Sequence, residues 1–241
     1  MILPLPTFFK CLLWLLACCA FAASSATVTG QVSLVGGHDE HHVESHTASD
    51  TASTVVWLSP VSNDAVAERT LPHVKMIQKD KHFEPHILPI EVGTLVDFPN
   101  LDPIFHNAFS NFDGQLFDIG LYPPHSSRSI RFQREGLVRV FCNIHPAMSA
   151  VIVVLATPYF SVTDPGGHYS IANVPAGAYK LHFFHERATP ETLDALTQAV
   201  TVSNAANSVP EVTISEAGYI PMPHKNKYGR DYEPEKQSIY H

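Results

Sequence analysis

The chain has 241 residues, of which 16% are charged and 45% are hydrophobic, and its formal net charge is −8 with neutral histidines. A chain of this length forms one large domain or two small ones. The acidic balance argues against nucleic acid as a partner, because surfaces that bind nucleic acid carry an excess of Lys and Arg.

The first 26 residues have the layout of a secretory signal peptide. A single charge, Lys10, precedes an apolar run over residues 11–22 and four small residues at 23–26. The apolar run is shorter than the ~20 residues that a bilayer span requires, and no later stretch is more apolar. The sequence predicts an exported protein, periplasmic or secreted, without a transmembrane anchor in the mature chain. A lipoprotein modified at Cys18 is the alternative.

Alternating apolar and polar residues predict β-strands along nearly the whole mature chain. Two strands are predicted first, at 27–34 and 53–58. A second group is predicted at 73–78, 87–92, 94–98, 129–132, 137–142 and 150–155, and a third at 159–163, 169–171, 179–184, 199–203 and 209–214. Only residues 190–197 have a helical pattern. This spacing predicts an all-β protein with one β-sandwich at 73–156 and a smaller one at 157–241, which also includes the tail. Residues 27–72 could complete either sandwich.

Cys142 is the one cysteine that remains after removal of the leader, because Cys11, Cys18 and Cys19 all lie within the first 26 residues. The mature chain therefore has no partner for an intrachain disulfide. A lone thiol is exposed to oxidation outside the cytoplasm, so its presence calls for a reason. Metal ligation is such a reason.

Cys142 is followed by His145 and Met148 in the order Cys-x2-His-x2-Met, at the end of a predicted strand. Alternation along that strand places Val138, Val140 and Cys142 on one face, which predicts a buried sulfur. A buried thiolate needs a cation to stay ionised. A small buried hydrophobe and a Cys-His nucleophile are the alternatives for this cysteine.

Two imidazoles and one thiolate, with a weak axial methionine, are the ligands of blue copper sites. The loop supplies one imidazole, so a second must come from elsewhere. His106 is the candidate, because it follows the strand predicted at 94–98 and its loop can neighbour the Cys142 loop. The predicted copper ligands are His106, Cys142, His145 and Met148.

On these residues, the stretch 73–155 resembles a cupredoxin, the blue-copper fold of amicyanin and plastocyanin. The matching positions are Phe83-x-Pro85, Ile90-x-Val92-Gly93-x-x-Val96-x-Phe98-x-Asn100-x-Asp102-x-x-x-His106-Asn107 and the Cys142–Met148 loop, whose ligand spacing resembles that of amicyanin. The whole chain is similar to bacterial cupredoxin-domain proteins often labelled methylamine-utilisation proteins. The resemblance implies a Greek-key sandwich that holds one type 1 copper.

The same resemblance implies roles for further residues. Asn107 would brace the cysteine loop by a hydrogen bond, and His145 would pass the electron at its exposed edge. A rim around that edge would dock the partner, and it comprises Pro103, Ile104, Pro146 and Ala147. The implied function is a periplasmic electron carrier without catalysis of its own, whose partner is a redox protein such as a c-type cytochrome or a dehydrogenase.

The second sandwich has its own resemblance, to the transthyretin-type carboxypeptidase regulatory-like domain. The matching positions are Asp164-x-x-Gly167-x-Tyr169-x-Ile171-x-x-Val174-Pro175-x-Gly177-x-Tyr179-x-Leu181. Some relatives of that fold bind carbohydrate, so a carbohydrate-binding or surface-binding module with a secondary copper site is an alternative function. Fold analogy alone does not establish binding, and a structural or docking role is the simpler interpretation.

A histidine-rich loop supports another alternative, a protein that stores or delivers copper. Its histidines are His38, His41, His42 and His46. They could form an auxiliary metal site, although a solvated loop is the simpler interpretation because ordering it costs entropy. His185 is interpreted as structural, and the sequence assigns no role to Met222 or His224.

Overall fold

The computed structural model describes residues 25–36, 53–62, 70–71, 73–111, 114–220 and 224–232. The predicted leader up to residue 24, the auxiliary-loop histidines (His38, His41, His42 and His46) and Met222 lie outside the described residues. Regular structure in the described part is almost entirely strand, so the prediction of an all-β protein is confirmed. No helix among these residues is long and apolar enough to cross a membrane.

The strands follow the predicted order. The first two are β1 (Ser25–Val35) and β2 (Val55–Pro60). Between residues 73 and 155 the structure has β3 (His73–Lys75), β4 (Ile77–Lys79), β5 (His82–Glu84), β6 (Ile87–Glu91), β7 (Leu95–Pro99), β8 (Phe109–Ser110), β9 (Phe117–Asp118), β10 (Ser127–Arg131), β11 (Gly136–Phe141) and β12 (Ser149–Leu155). The remaining elements are β13 (Phe160–Val162), β14 (His168–Pro175), β15 (Gly177–Phe184), α1 (Pro190–Ala195), β16 (Gln198–Val202), β17 (Asn207–Ser208) and β18 (Val212–Ser215).

The first sandwich is built from β3–β12. One sheet has the order β10-β7-β3, the other has the order β6-β12-β11-β8-β9, and β4 and β5 form a hairpin. Apolar side chains that alternate along β7, β11 and β12 fill the space between the sheets, among them Phe98, Val140 and Ile152. Cys142 and Met148 belong to the same buried cluster. The predicted metal site therefore lies at one end of this core.

The second sandwich contains β1 and β2 as well as the strands after residue 159. Its sheets have the orders β14-β1-β17, with β18 also on β1, and β13-β2-β15-β16. The sequence leaves open which sandwich residues 27–72 complete, and this pairing assigns β1 and β2 to the second. The first sandwich is thus inserted between β2 and β13. Strand β1 starts at Ser25, so cleavage after Ala26 would cut within a strand whose Ala26 side chain is buried.

The close approach of β1 to the turn before β14 explains why residue 167 of the second sandwich is a glycine. Gly167 has a φ of +79°, and a Cβ there would lie 2.0 Å from the carbonyl oxygen of Val32. The Val32 N–H in turn donates to the Gly167 carbonyl at 2.8 Å. Only glycine combines this φ with this approach.

A smaller apolar cluster joins the two sandwiches. It combines Val151, Val153 and Leu155 of β12 with Val55 of β2 and Phe184 of β15. Near it, His86 Nε2 lies 2.5 Å from Glu186 Oε2, so a polar pair also bridges the sandwiches. The two sandwiches therefore pack against each other and are not joined by linkers alone.

Four short strands, β5, β8, β9 and β17, are absent from the sequence prediction. Each has two or three residues, which is too short for an alternation to be recognised. Strands β8 and β9 follow His106 in the chain, and Phe109 of β8 pairs with Phe141 of β11. This pairing brings the His106 loop beside the end of the strand that leads to Cys142.

Candidate metal centre

Cys142 directly follows β11 and points into the first sandwich. Val138, Val140 and Cys142 are all fully buried, as their alternation along the strand predicts. The backbone then reverses within a few residues, because the Cys142 N–H donates to the Met148 carbonyl at 3.2 Å and the Met148 N–H donates to the His145 carbonyl at 3.1 Å. This tight loop brings His145 and Met148 back toward the sulfur.

His106 is positioned by a different part of the first sandwich. It pairs antiparallel with Tyr122: the His106 N–H donates to the Tyr122 carbonyl at 3.2 Å, and the Tyr122 N–H donates to the His106 carbonyl at 2.9 Å. Both side chains are buried. The imidazole therefore has a fixed backbone and enters the core beside Cys142.

The structure brings three of the predicted ligands into one group. Cys142 Sγ lies 3.8 Å from His106 Nδ1 and 3.7 Å from His145 Nδ1. The three donor atoms are all within 4.8 Å of one another, and the group could hold a metal ion. Met148 is fully buried in the same cluster as Cys142 and follows His145 by three residues.

The protonation of Cys142 is shifted strongly in this site. Burial alone would raise the pKa of its thiol, but hydrogen bonds from His106 and His145, and from the backbone N–H groups of Asn107 and Ile144, outweigh burial and lower the pKa to about 6. Burial lowers the pKa of His106, whereas its contacts with Cys142 and Asp102 raise it more, so the net shift is upward. The surroundings thus favour a thiolate, the form that ligates metals.

Asp102 holds the other nitrogen of His106, at 2.7 Å from Nε2 to Oδ2. Backbone N–H groups of Asp80 and Lys81 donate to the two oxygens of this carboxylate. Burial raises the pKa of Asp102, but these N–H groups and His106 lower it by more. The pKa of this carboxyl group therefore lies below its ordinary value. A carboxylate bound to Nε2 fixes the orientation of the ring, so Nδ1 would be the nitrogen that holds a metal, and the carboxylate would increase its basicity. Sequence reasoning missed this role, although an Asp four residues before a candidate ligand was a usable signal.

Asn107 connects the two loops that carry ligands. Its Oδ1 accepts from the Asn143 N–H at 2.9 Å, and its Nδ2 donates to Asp118 Oδ1 at 2.8 Å. It therefore makes the contact across to the cysteine loop that the resemblance implies. Each partner in this connection is adjacent to a predicted ligand, since Asn107 follows His106 and Asn143 follows Cys142.

The two histidines differ in their access to solvent. His106 is fully buried, whereas His145 retains 9% of its surface. The residues beside both ligands are exposed and apolar, and they comprise Pro103, Ile104, Phe105, Ile144, Pro146 and Ala147. The rim predicted from Pro103, Ile104, Pro146 and Ala147 is thus at the surface, and Phe105 and Ile144 extend it.

The donor set fits copper. One thiolate and two imidazoles, with a thioether in the same buried cluster, are soft and borderline donors that suit copper in both of its common oxidation states. Oxygen ligands, which Mg²⁺ and Ca²⁺ require, are absent from the group that the described residues form.

No protein-family model and no curated protein matches this chain. Among solved structures, the chain is similar to a copper-containing nitrite reductase from Thermus scotoductus SA-01, at 29% identity over 40% of this chain and 25% of that chain, with a TM-score of 0.34. A purple cupredoxin from Nitrosopumilus maritimus is 24% identical over 34% of this chain and 99% of that chain, with a TM-score of 0.32. A mutant of amicyanin in its reduced Cu(I) form is 20% identical over 42% of this chain and 98% of that chain, with a TM-score of 0.33. The chain spans about a quarter of the nitrite reductase.

Proposed function

We propose that this chain binds one copper ion through His106, Cys142, His145 and Met148 and carries single electrons between redox proteins outside the cytoplasm. The observation that carries the proposal is the buried His106–Cys142–His145 group, whose donor atoms lie within 4.8 Å of one another. Bound copper would supply a one-electron couple. The protein would supply the ligands, their orientation and the exclusion of water.

Rigidity of the ligands favours electron transfer over other uses of copper. His106 is fixed by its backbone pairing with Tyr122 and by Asp102, and Cys142 by the tight loop to Met148. A ligand set that is already in place needs little rearrangement when the charge of the ion changes. Four protein donors also leave no open position for a substrate, which argues against a catalytic copper.

The surface near His145 supports exchange with a protein partner. His145 is the less buried of the two predicted ligand histidines, with 9% of its surface exposed, and exposed apolar residues lie beside both histidines. Apolar contacts that dissociate readily suit a transient redox complex, whose interfaces are small. A c-type cytochrome or a dehydrogenase is the partner class that we propose.

The test is an absorption and electron paramagnetic resonance spectrum of the copper-loaded protein. We expect an intense visible band from the thiolate-to-copper transition in the natural chain and its loss in Cys142→Ser. An intense blue band in the Cys142→Ser protein would refute the assignment. More than one tightly held copper per chain, with no electron exchange with any cytochrome, would instead favour storage or delivery.

A further inference from the structure

The C-terminal residues 224–232, here called the strap, lie against the loop that carries Cys142 and His145. The Tyr232 hydroxyl donates to the Cys142 carbonyl at 2.8 Å. His224 Nε2 lies 2.6 Å from the Pro146 carbonyl. The Lys227 N–H donates to Asn143 Oδ1 at 3.0 Å. The strap therefore holds the five-residue stretch from Cys142 to Pro146 at three points.

Packing adds to these hydrogen bonds. The His224 ring stacks on Phe141, the last residue of β11, with ring centroids 4.0 Å apart and an angle of 22° between planes. Tyr232 meets the same imidazole edge-on at 5.2 Å. Asn226 Oδ1 accepts from the backbone N–H groups of Tyr228 and Arg230, which closes the strap into a compact turn. The strap is thus internally ordered where it contacts the loop.

Lys227 also connects the strap to the His106 side of the site. Its ammonium lies 2.8 Å from Asp118 Oδ2. Asp118 Oδ1 accepts from Asn107, which accepts from the Asn143 N–H. Because Lys227 contacts Asn143 as well, these residues form a closed ring of hydrogen bonds. The ring joins the strap to the residue after His106 and to the residue after Cys142.

We propose that the strap positions the copper-binding loop, so that Tyr232, His224 and Lys227 keep Cys142 and His145 in ligating geometry with and without metal. This inference rests on the proposed function. Its physical basis is entropic: a loop whose carbonyls are already held loses less conformational freedom when it binds an ion. The contacts between the strap and the loop join residues that are 78 to 90 positions apart in sequence, and the strap follows the second sandwich in the chain. Because the strap is connected to the second sandwich, that sandwich would then help to hold the copper-binding loop in place.

The test uses the full chain with Tyr232→Phe, which removes only the hydroxyl, with His224→Phe, which keeps a stacking ring, and with both changes. In the metal-free protein, we expect a thiol reagent to modify Cys142 several times faster in the double variant, with the modified residue identified by mass spectrometry. In the copper-loaded protein, we expect copper to dissociate roughly tenfold faster, the size of effect known for groups that orient metal ligands. The reduction potential and the copper hyperfine splitting should also shift.

Asp231→Asn is the control within the strap, because the Asp231 side chain is 91% exposed and its carboxylate lies 3.7 Å from Lys225 rather than on Tyr232, His224 or Lys227. It should behave as the natural chain does. Unchanged thiol reactivity and unchanged copper dissociation in the double variant would overturn the inference. If the natural chain does not bind copper as a blue site, the proposed function fails, yet the metal-free thiol rates still decide whether the strap holds the loop.

Discussion

The two sandwiches each contain a fully buried histidine that is hydrogen-bonded to a buried carboxylate. In the first, His106 Nε2 lies 2.7 Å from Asp102. In the second, His185 Nε2 lies 2.8 Å from Glu216, which also binds Arg187. The two pairs are nearly identical on this side of the imidazole.

The two pairs differ in what the other imidazole nitrogen, Nδ1, contacts. Nδ1 of His106 faces the Cys142 sulfur and the second imidazole of His145, whereas Nδ1 of His185 faces the Thr54 hydroxyl at 3.4 Å. A soft thiolate with two imidazoles binds copper, and a hydroxyl does not. A histidine–carboxylate pair is therefore not a metal site by itself, because the donors opposite the carboxylate decide its chemistry.

The largest difference is expected when each histidine is removed. His106→Ala deletes one imidazole from the site, so we expect the blue copper spectrum to disappear. His185→Ala should leave that spectrum unchanged but lower the free energy of unfolding by roughly 2–4 kcal/mol, from the cavity and the lost hydrogen bonds. Visible absorption and denaturant unfolding measure the two effects. A folded His185→Ala protein without the blue band would show that the second pair is also needed for the copper site, which would contradict this prediction.

The next effect is the acidity of the thiol in the metal-free protein. Hydrogen bonds from His106 and His145 outweigh burial and lower the pKa of Cys142 from 9.0 to about 6. Thiolate absorbance near 240 nm should therefore rise as the pH increases through about 6, with Cys142→Ser as the baseline. In His106→Ala the burial remains while one donor is lost, so the rise should move to higher pH. A titration at the ordinary thiol pKa in the natural chain would contradict this.

Much of the fold could be predicted from local patterns. Alternation located most strands to within a few residues, because each buried face repeats every second residue along one strand. The Cys142, His145 and Met148 spacing is equally local. Those three residues lie on one short loop, so their proximity follows from the chain itself.

The contacts that could not be predicted are those between distant parts of the chain. The alternation of β1 and β2 does not indicate which sandwich they join, because the cores of both sandwiches are apolar. The contact of Tyr232 with Cys142 depends on the path of the whole second sandwich. No role was therefore assigned to His224, although its ring stacks on Phe141.

A smaller effect is expected from the carboxylates. Asp102→Asn keeps the shape of the side chain but removes its charge, so His106 becomes a weaker base toward the metal. We expect copper affinity to fall roughly 10- to 100-fold. Glu216→Gln is the matched change at the second pair and should leave copper affinity as it is in the natural chain. Competition with a copper chelator measures both. Equal losses in the two variants would show a general effect of stability rather than of the ligand's partner.

The smallest expected effect is the most demanding test, because it tries to convert the second pair into the first. Thr54→Cys places a thiol opposite Nδ1 of His185, at a position that is 99% buried. The Thr54 hydroxyl contacts the single imidazole of His185, whereas the Cys142 sulfur contacts the imidazoles of both His106 and His145. Burial without such donors raises a thiol pKa and keeps the group protonated. We therefore expect one copper per chain and the unchanged spectrum of the natural protein, with Thr54→Ser as the control.

A second blue copper in Thr54→Cys would show that a thiol opposite a histidine–carboxylate pair is sufficient, and that the second imidazole is not what distinguishes the two sandwiches.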